Sequence, residues 1–189
     1  MAYQGQVIEN PVSGERITFR QTAADTGGEL LVIDLELAPD GHAPGMHVHP
    51  IQEERFEVIS GRMRFRHGLR TSVAGPGDVV MVEPGTVHAF ANTGEDRVHA
   101  RVEIRPALQM ERLLETAVAL ACEGRTNARG MPRPLDLALF TREFAQEVRG
   151  PFAPPWLQRA MLAPLAWMAT RKGHGERYAP VTGELAAAL

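Results

Sequence analysis

Residues 41–61, GHAPGMHVHPIQEERFEVISG, decide the fold. His47 and His49 stand two apart, and on a β-strand that spacing sends both imidazoles to one face, as a pair of metal ligands requires. Glu54 would have the wrong parity on an uninterrupted strand, but Pro50 is a natural place for the chain to bend and reset it. After the bend Glu54, Phe56 and Val58 share a face, while Glu53, Arg55 and Glu57 share the face that water would see. The alternation therefore selects Glu54 over Glu53 as the inward carboxylate.

A second stretch, residues 77–92, GDVVMVEPGTVHAFAN, runs through Val and Met to a Pro-Gly turn and then His88. His88, Phe90 and Asn92 share parity, so an imidazole, an aromatic wall and an amide point the same way. Together the two stretches supply four candidate ligands: His47, His49, Glu54 and His88.

The spacing of these residues resembles the cupin superfamily. Its first motif, G-x5-H-x-H-x3,4-E-x6-G, is met by Gly41, His47, His49, Glu54 and Gly61. Its second, G-x5-P-x-G-x2-H-x3-N, is met by Gly77, Gly85, His88 and Asn92, with Glu83 at the proline position and Pro84 one place later. The resemblance covers roughly residues 15–106. It implies a mainly β protein, a small antiparallel jelly-roll barrel with one metal inside, here a single unit followed by a C-terminal α-helical extension.

Composition bounds the rest. A chain of 189 residues with 44% hydrophobic content suits one ordinary domain plus an extension and needs no covalent staple. The net charge of −3 offers no basic stripe, so nucleic acid is not an expected partner. A single cysteine, Cys122, excludes an intramolecular disulfide, and the N-terminal residues do not read as a signal peptide, so the expected compartment is the cytoplasm.

In chain order, residues 1–14 read as an arm, residues 16–21 and 29–38 as strands, and residues 62–66 as a strictly alternating strand ending in a His67-Gly68 hairpin tip. Val79 to Val82, apolar on both sides, suits a central strand, and Val98, Ala100, Val102 and Ile104 close the barrel before Pro106. From Ala107 the periodicity is helical: Leu113, Ala117, Leu120 and Ala121 form one apolar stripe, and Leu137, Phe140, Phe144 and Val148 another. The last apolar segment, Trp156 to Met168, is interrupted by Arg159 and Pro164 and cannot span a bilayer. These signals divide the chain into a barrel with its arm, 1–106, and a helical extension, 107–189, expected to pack on the barrel or on the partner of a homodimer.

Three neutral imidazoles and a carboxylate suit one divalent transition metal, iron, manganese, nickel or zinc, and leave positions open for a small-molecule substrate. Two enzyme classes follow, a dioxygenase or a Lewis-acid isomerase or lyase, with a non-catalytic metal or small-ligand binding module as the alternative. Each residue also has a plainer reading. Glu83 is a general base or an exposed strand end, and Asn92 a substrate contact or a turn-stabilising amide. His42, His67, His99 and His174 read as surface residues, and Cys122 as a small core residue.

Overall fold

The structure, a computed structural model, describes residues 2–151 and 153–178. The C-terminal part of the expected helical extension, 179–189, lies outside the described residues.

Among the described residues nine strands form two sheets. The strands are β1 (Val7–Glu9), β2 (Glu15–Gln21), β3 (Leu31–Leu37), β4 (Glu53–Ser60), β5 (Met63–His67), β6 (Arg70–Ala74), β7 (Val79–Val82), β8 (His88–Asn92) and β9 (Val98–Arg105). The larger sheet has the order β1-β2-β3-β9-β4-β7, the smaller β6-β5-β8, and every pairing is antiparallel. The arm adds β1 to the edge of the larger sheet in its own chain.

The period-two pattern explains how the sheets face each other. Ile17 and Phe19 on β2, the odd-numbered positions of β3, Phe56 and Val58 on β4, and the even-numbered positions of β9 are buried. From the smaller sheet Met63 and Phe65 complete this interior, and Phe56, Phe65 and Phe90 stack with ring centroids 5.2–6.5 Å apart. Such tilted aromatic contacts add to the stabilisation that burial supplies. The outward residues of the larger sheet pair by charge instead, among them Arg16 with Glu36 and Arg101 with Asp34. Asp34 itself is buried, because Arg20, Arg101 and His99 close over it.

Gly61 explains a spacing rule of the sequence. It sits at φ 81°, and a Cβ there would lie 2.8 Å from Val98 Cγ2 and 2.9 Å from Val98 Cα. The turn between β4 and β5 therefore needs glycine for both dihedral and space.

Among the described residues three α-helices follow: α1 (Met110–Cys122), α2 (Pro134–Glu143) and α3 (Pro155–Arg171). Helix α1 is tied to the N-terminal strands by Gln6 Nε2, which donates to Glu115 Oε1, and by the Ala23 amide, which donates to Glu111 Oε1. Arg112 pairs with Glu143 and lies over the Phe144 ring. Buried Asp136 on α2 accepts from Arg125 through both oxygens and lies 3.1 Å from His174 Nδ1. No helix among the described residues is long and apolar enough to cross a membrane.

Four expectations need correction. Strand β7 is an edge strand, not a central one: Val79 and Met81 are exposed, because a four-residue apolar run does not reveal whether its second face is covered. Helix α2 stops at Glu143, so Val148 falls in the segment beyond it. Cys122 is exposed, since it sits in the last turn of α1 off the stripe carrying Leu113, Leu120 and Ala121. His47 and Val48 lie in isolated bridges to His88 and Arg149 rather than in a continuous strand.

Gly61→Ala should cost about 2–4 kcal/mol from its left-handed φ and the overlap with Val98, whereas Gly68→Ala, at φ 57° with open space around it, should cost about 1 kcal/mol. Urea unfolding of the two variants side by side checks this; equal losses would count against the close packing at Gly61.

Candidate metal centre

Each candidate ligand is placed by a different piece of the fold. His47 pairs with His88 through two backbone hydrogen bonds, His47 N to His88 O and His88 N to His47 O, which draws the loop after Gly41 against β8. The chain bends at Pro50 and Ile51 and enters β4 at Glu53, and Glu54 then faces inward opposite Val82 and Ile104. The reset of parity at Pro50 thus occurs: Glu54 is 6% exposed, while Glu53 is only half-buried.

The structure brings all four together. One ligand atom from each of His47, His49, Glu54 and His88 lies within 4.8 Å of the others. Glu54 Oε2 stands 3.0 Å from His88 Nε2 and 3.4 Å from His49 Nε2.

Each imidazole is oriented from behind by a main-chain carbonyl. Nδ1 of His47 donates to Gly45 O at 2.9 Å, that of His49 to Glu147 O at 2.5 Å, and that of His88 to Thr86 O at 3.0 Å. A carbonyl can only accept, so the proton belongs on each Nδ1, and in the neutral rings Nε2 is left as a lone pair. These lone pairs converge on a carboxylate, which also only accepts. His49 Nε2, His88 Nε2 and Glu54 Oε2 are buried without a hydrogen-bond partner among the described residues. Such an arrangement of acceptors is costly unless a proton or a cation lies between them. The donor set and its buried orphan atoms fit a divalent metal, with the carbonyls serving as the outer partners that fix each ring.

The electrostatics follow the same geometry. Burial depresses His47 to about 3, aided by His49 and His88. Burial pushes Glu54 upward, but the surrounding histidines overcome it and hold the carboxyl at about 2. His88 is raised, because the adjacent Glu54 outweighs the effect of burial.

Three further residues take part, Glu147, Arg149 and His67. Glu147, from the segment after α2, fixes His49 through its main-chain oxygen, and Arg149 pairs with Val48 through two backbone hydrogen bonds. The sequence places those residues about 100 positions away, and a main-chain acceptor leaves no side-chain signature. His67, expected at the surface, pairs across the strands with His88, on the same side of β5 as buried Met63 and Phe65. Its Nε2 is buried without a partner, and burial, then the nearby His88, lowers its pKa. Its parity with Met63 and Phe65 was the available signal.

The remaining candidates take plainer roles. Glu83 is exposed at the end of β7. Asn92 is buried and fastens a turn: its Nδ2 donates to Leu37 O, Ala38 O and Asp96 O, and its Oδ1 accepts from Gly94 N.

The family comparison agrees with this geometry: residues 34–104 match the family described as Cupin domain. This segment is a cupin domain. The match begins within β3, so β1, β2 and the helices lie outside it. Among solved structures, the chain is similar to a predicted oxalate decarboxylase from Thermotoga maritima, with 19% identity, 56% of this chain and 99% of that chain covered, and a TM-score of 0.48. It is similar to the polyketide cyclase RemF from Streptomyces resistomycificus, with 18% identity, coverage of 57% and 78%, and a TM-score of 0.47. It is also similar to an RmlC-like cupin from Shewanella frigidimarina, with 16% identity, coverage of 59% and 94%, and a TM-score of 0.47. Comparison with curated proteins finds no match.

The depressed His47 gives a pH dependence of known sign. Between pH 6.5 and about 3 the unfolded chain binds a proton at this position and the folded one does not, so the contribution is complete above 6.5 and is lost as pH falls. In chelator-treated protein, His47→Gln should flatten the fall of stability across that range, by at most about 1.4 kcal/mol per pH unit. Urea midpoints measured from pH 7 to pH 4 read the slope directly; a slope unchanged by the substitution would contradict a folded His47 kept neutral.

Proposed function

We propose that His47, His49, Glu54 and His88 hold one divalent first-row transition metal, and that the protein is a metal-dependent enzyme acting on a small organic molecule. The observation that carries this reading is the convergence of carbonyl-oriented Nε2 lone pairs on a buried carboxylate with no donor among them. Iron, manganese, nickel and zinc all suit such a donor set. When bound, the ion supplies Lewis acidity and, for a redox-active metal, a site for O2.

The chain's own residues supply the rest. Three neutral histidines and one carboxylate leave a divalent site with a net charge of about +1, which favours an anionic or strongly polar oxygen donor. Phe56, Phe65 and Phe90 wall the interior and exclude water from it. His67, opposite His88, provides a further imidazole that can hold or accept a proton near the centre. The substrate class is therefore a compact molecule with two adjacent oxygens: a diketone, a diol or a 2-hydroxy acid. A dioxygenase-like reaction is the leading form and a Lewis-acid isomerase or lyase the second.

A non-catalytic binding module is the alternative, and one observation favours it. His88, His49 and Glu54 are 0%, 4% and 6% exposed, and they line neither the cleft between α2 and α3 nor the one beside Arg64, Arg66 and Phe90. Only half-buried His47 offers an approach.

We also propose that the chain divides at Pro106 into a barrel unit, 1–106, and a helical unit, 107–189, and that two copies pair. Exposed Trp156, Met161 and Trp167 on α3 and Val79 and Met81 on the β7 edge support such pairing.

Adding iron(II), manganese(II), nickel(II) or zinc(II) to metal-free protein should raise its melting midpoint, with about 2.7 kcal/mol gained at a hundredfold excess over Kd. Glu54→Gln should weaken that binding at least tenfold and Glu53→Gln by less than twofold. Under the dioxygenase form, O2 consumption with a diketone, diol or 2-hydroxy acid should require iron; anaerobic turnover surviving replacement by zinc would select the Lewis-acid form. Tight metal binding with no turnover on any of these classes would leave the binding module.

Cutting the chain after Pro106 removes the Glu147 carbonyl from His49, so metal affinity should fall along with solubility. A soluble barrel of unchanged affinity would show that the helical unit has no part in the centre.

A further inference from the structure

A second cleft lies away from the barrel interior, between α2 and α3. Its volume is about 770 Å³, within the range of small-molecule sites. The floor is apolar, built from Leu162, Ala163, Ala166 and Trp167. Three arginines, Arg142, Arg149 and Arg159, line the same cleft, and among the described residues no Asp or Glu does.

The charges are unbalanced locally. None of the three guanidinium groups has a carboxylate or hydrogen-bond partner among the described residues, whereas Arg16, Arg20, Arg101, Arg112 and Arg125 are all paired. The carboxylates closest in sequence are engaged elsewhere: Glu143 with Arg112, and Glu147 with the Gln109 amide. A further guanidinium, that of Arg171, lies 4.1 Å over the Trp167 ring. An apolar floor under unpaired forked donors is complementary to a carboxylate carried on an apolar body.

We propose that this cleft is a binding site for a small carboxylic acid with an alkyl or aryl body, the body lying on Leu162, Ala166 and Trp167 and the carboxylate meeting the arginines. Neither the charge nor the apolar surface is sufficient alone, and the two face the same space. None of His47, His49, Glu54 and His88 lines the cleft, so it is tested on chelator-treated full-length protein.

The probe is decanoate, below its micelle range, with the Trp156→Phe chain so that Trp167 is the sole tryptophan. Saturable change in Trp167 emission is expected, with one decanoate per chain by calorimetry. Decanol, which has the body without the charge, should bind at least tenfold more weakly, and inorganic phosphate alone should leave the emission unchanged. Replacing Arg142, Arg149 and Arg159 together by Gln should weaken decanoate at least tenfold while leaving the decanol affinity in place. Should that triple variant misfold, Ala163→Phe, which fills the floor, should abolish decanoate binding by calorimetry with the arginines intact.

Decanol binding as tightly as decanoate, several decanoates per chain, or an unchanged affinity in a folded triple variant would each overturn the proposal. So would a tenfold gain in affinity when residues 179–189 are removed, which would make the chain's own tail the occupant. A shift of a dimer to monomers on adding decanoate would instead give the cleft to a second copy.

Discussion

The centre of this protein rests on a conflict of like partners: imidazole lone pairs and a carboxylate face one another in a space where each can only accept. Nothing in the side chains themselves forces that orientation. It is forced by the main-chain carbonyls of Gly45, Thr86 and Glu147, which claim the Nδ1 protons and turn every Nε2 inward. Rotating a ring to relieve the conflict would strand a buried N–H and a buried carbonyl together, a penalty of about 1–3 kcal/mol for each unsatisfied group. The strain is thus locked in by hydrogen bonds that the backbone cannot easily give up, and a bound cation is the simplest way to resolve it.

The surrounding fold serves that lock. Two of its three carbonyls lie two residues before the histidine they orient, so they arrive with the local chain. The third comes from the segment after α2 and closes the site from outside the barrel. The two backbone bonds between Val48 and Arg149 hold that segment in register, so the position of His49 depends on residues on both sides of Pro106. This sets a limit on how independent the barrel and the helices can be: one apolar cluster contains Phe56 and Ile104 of the barrel together with Leu120, Leu139 and Phe144, and the orientation of His49 is shared as well.

The residues that sequence reading finds are those whose side chains obey a period. The switch of parity at Pro50 and His88 with Phe90 and Asn92 are recoverable because a strand alternates over a few positions, and His47 and His49 because even the isolated bridges at His47 and Val48 keep the chain locally extended. Buried Asp34 escaped for the opposite reason: its parity is outward, and only the convergence of Arg20, Arg101 and His99 covers it. The edge position of β7 escaped because pairing order is a long-range property that four apolar residues do not encode. Cys122 shows the remaining weakness, that one residue past an apolar stripe the helix has already turned by 100° toward water.

The shared segment also joins the histidine cluster to the cleft between α2 and α3. Glu147 orients His49 through its carbonyl, and two residues later Arg149 lines the cleft between α2 and α3. A ligand that drew the Arg149 side chain would act on a backbone already bonded to Val48, the residue between the first two histidines. If the histidine cluster holds an ion, the factor by which such a ligand changes the ion's affinity equals the factor by which the ion changes the ligand's. The coupling is bounded by what the segment can transmit. The hydrogen bonds that tie it to the barrel and to the start of α1 are donated by His49 Nδ1 to Glu147 O, by Gln109 N to Glu147 Oε1, and by Val48 N and Arg149 N to each other's carbonyls, and a displacement that broke even one buried bond would cost about 1–3 kcal/mol. Occupancy of the proposed cleft would therefore reach His49 only through this segment, by way of the Glu147 carbonyl and the Val48–Arg149 pair.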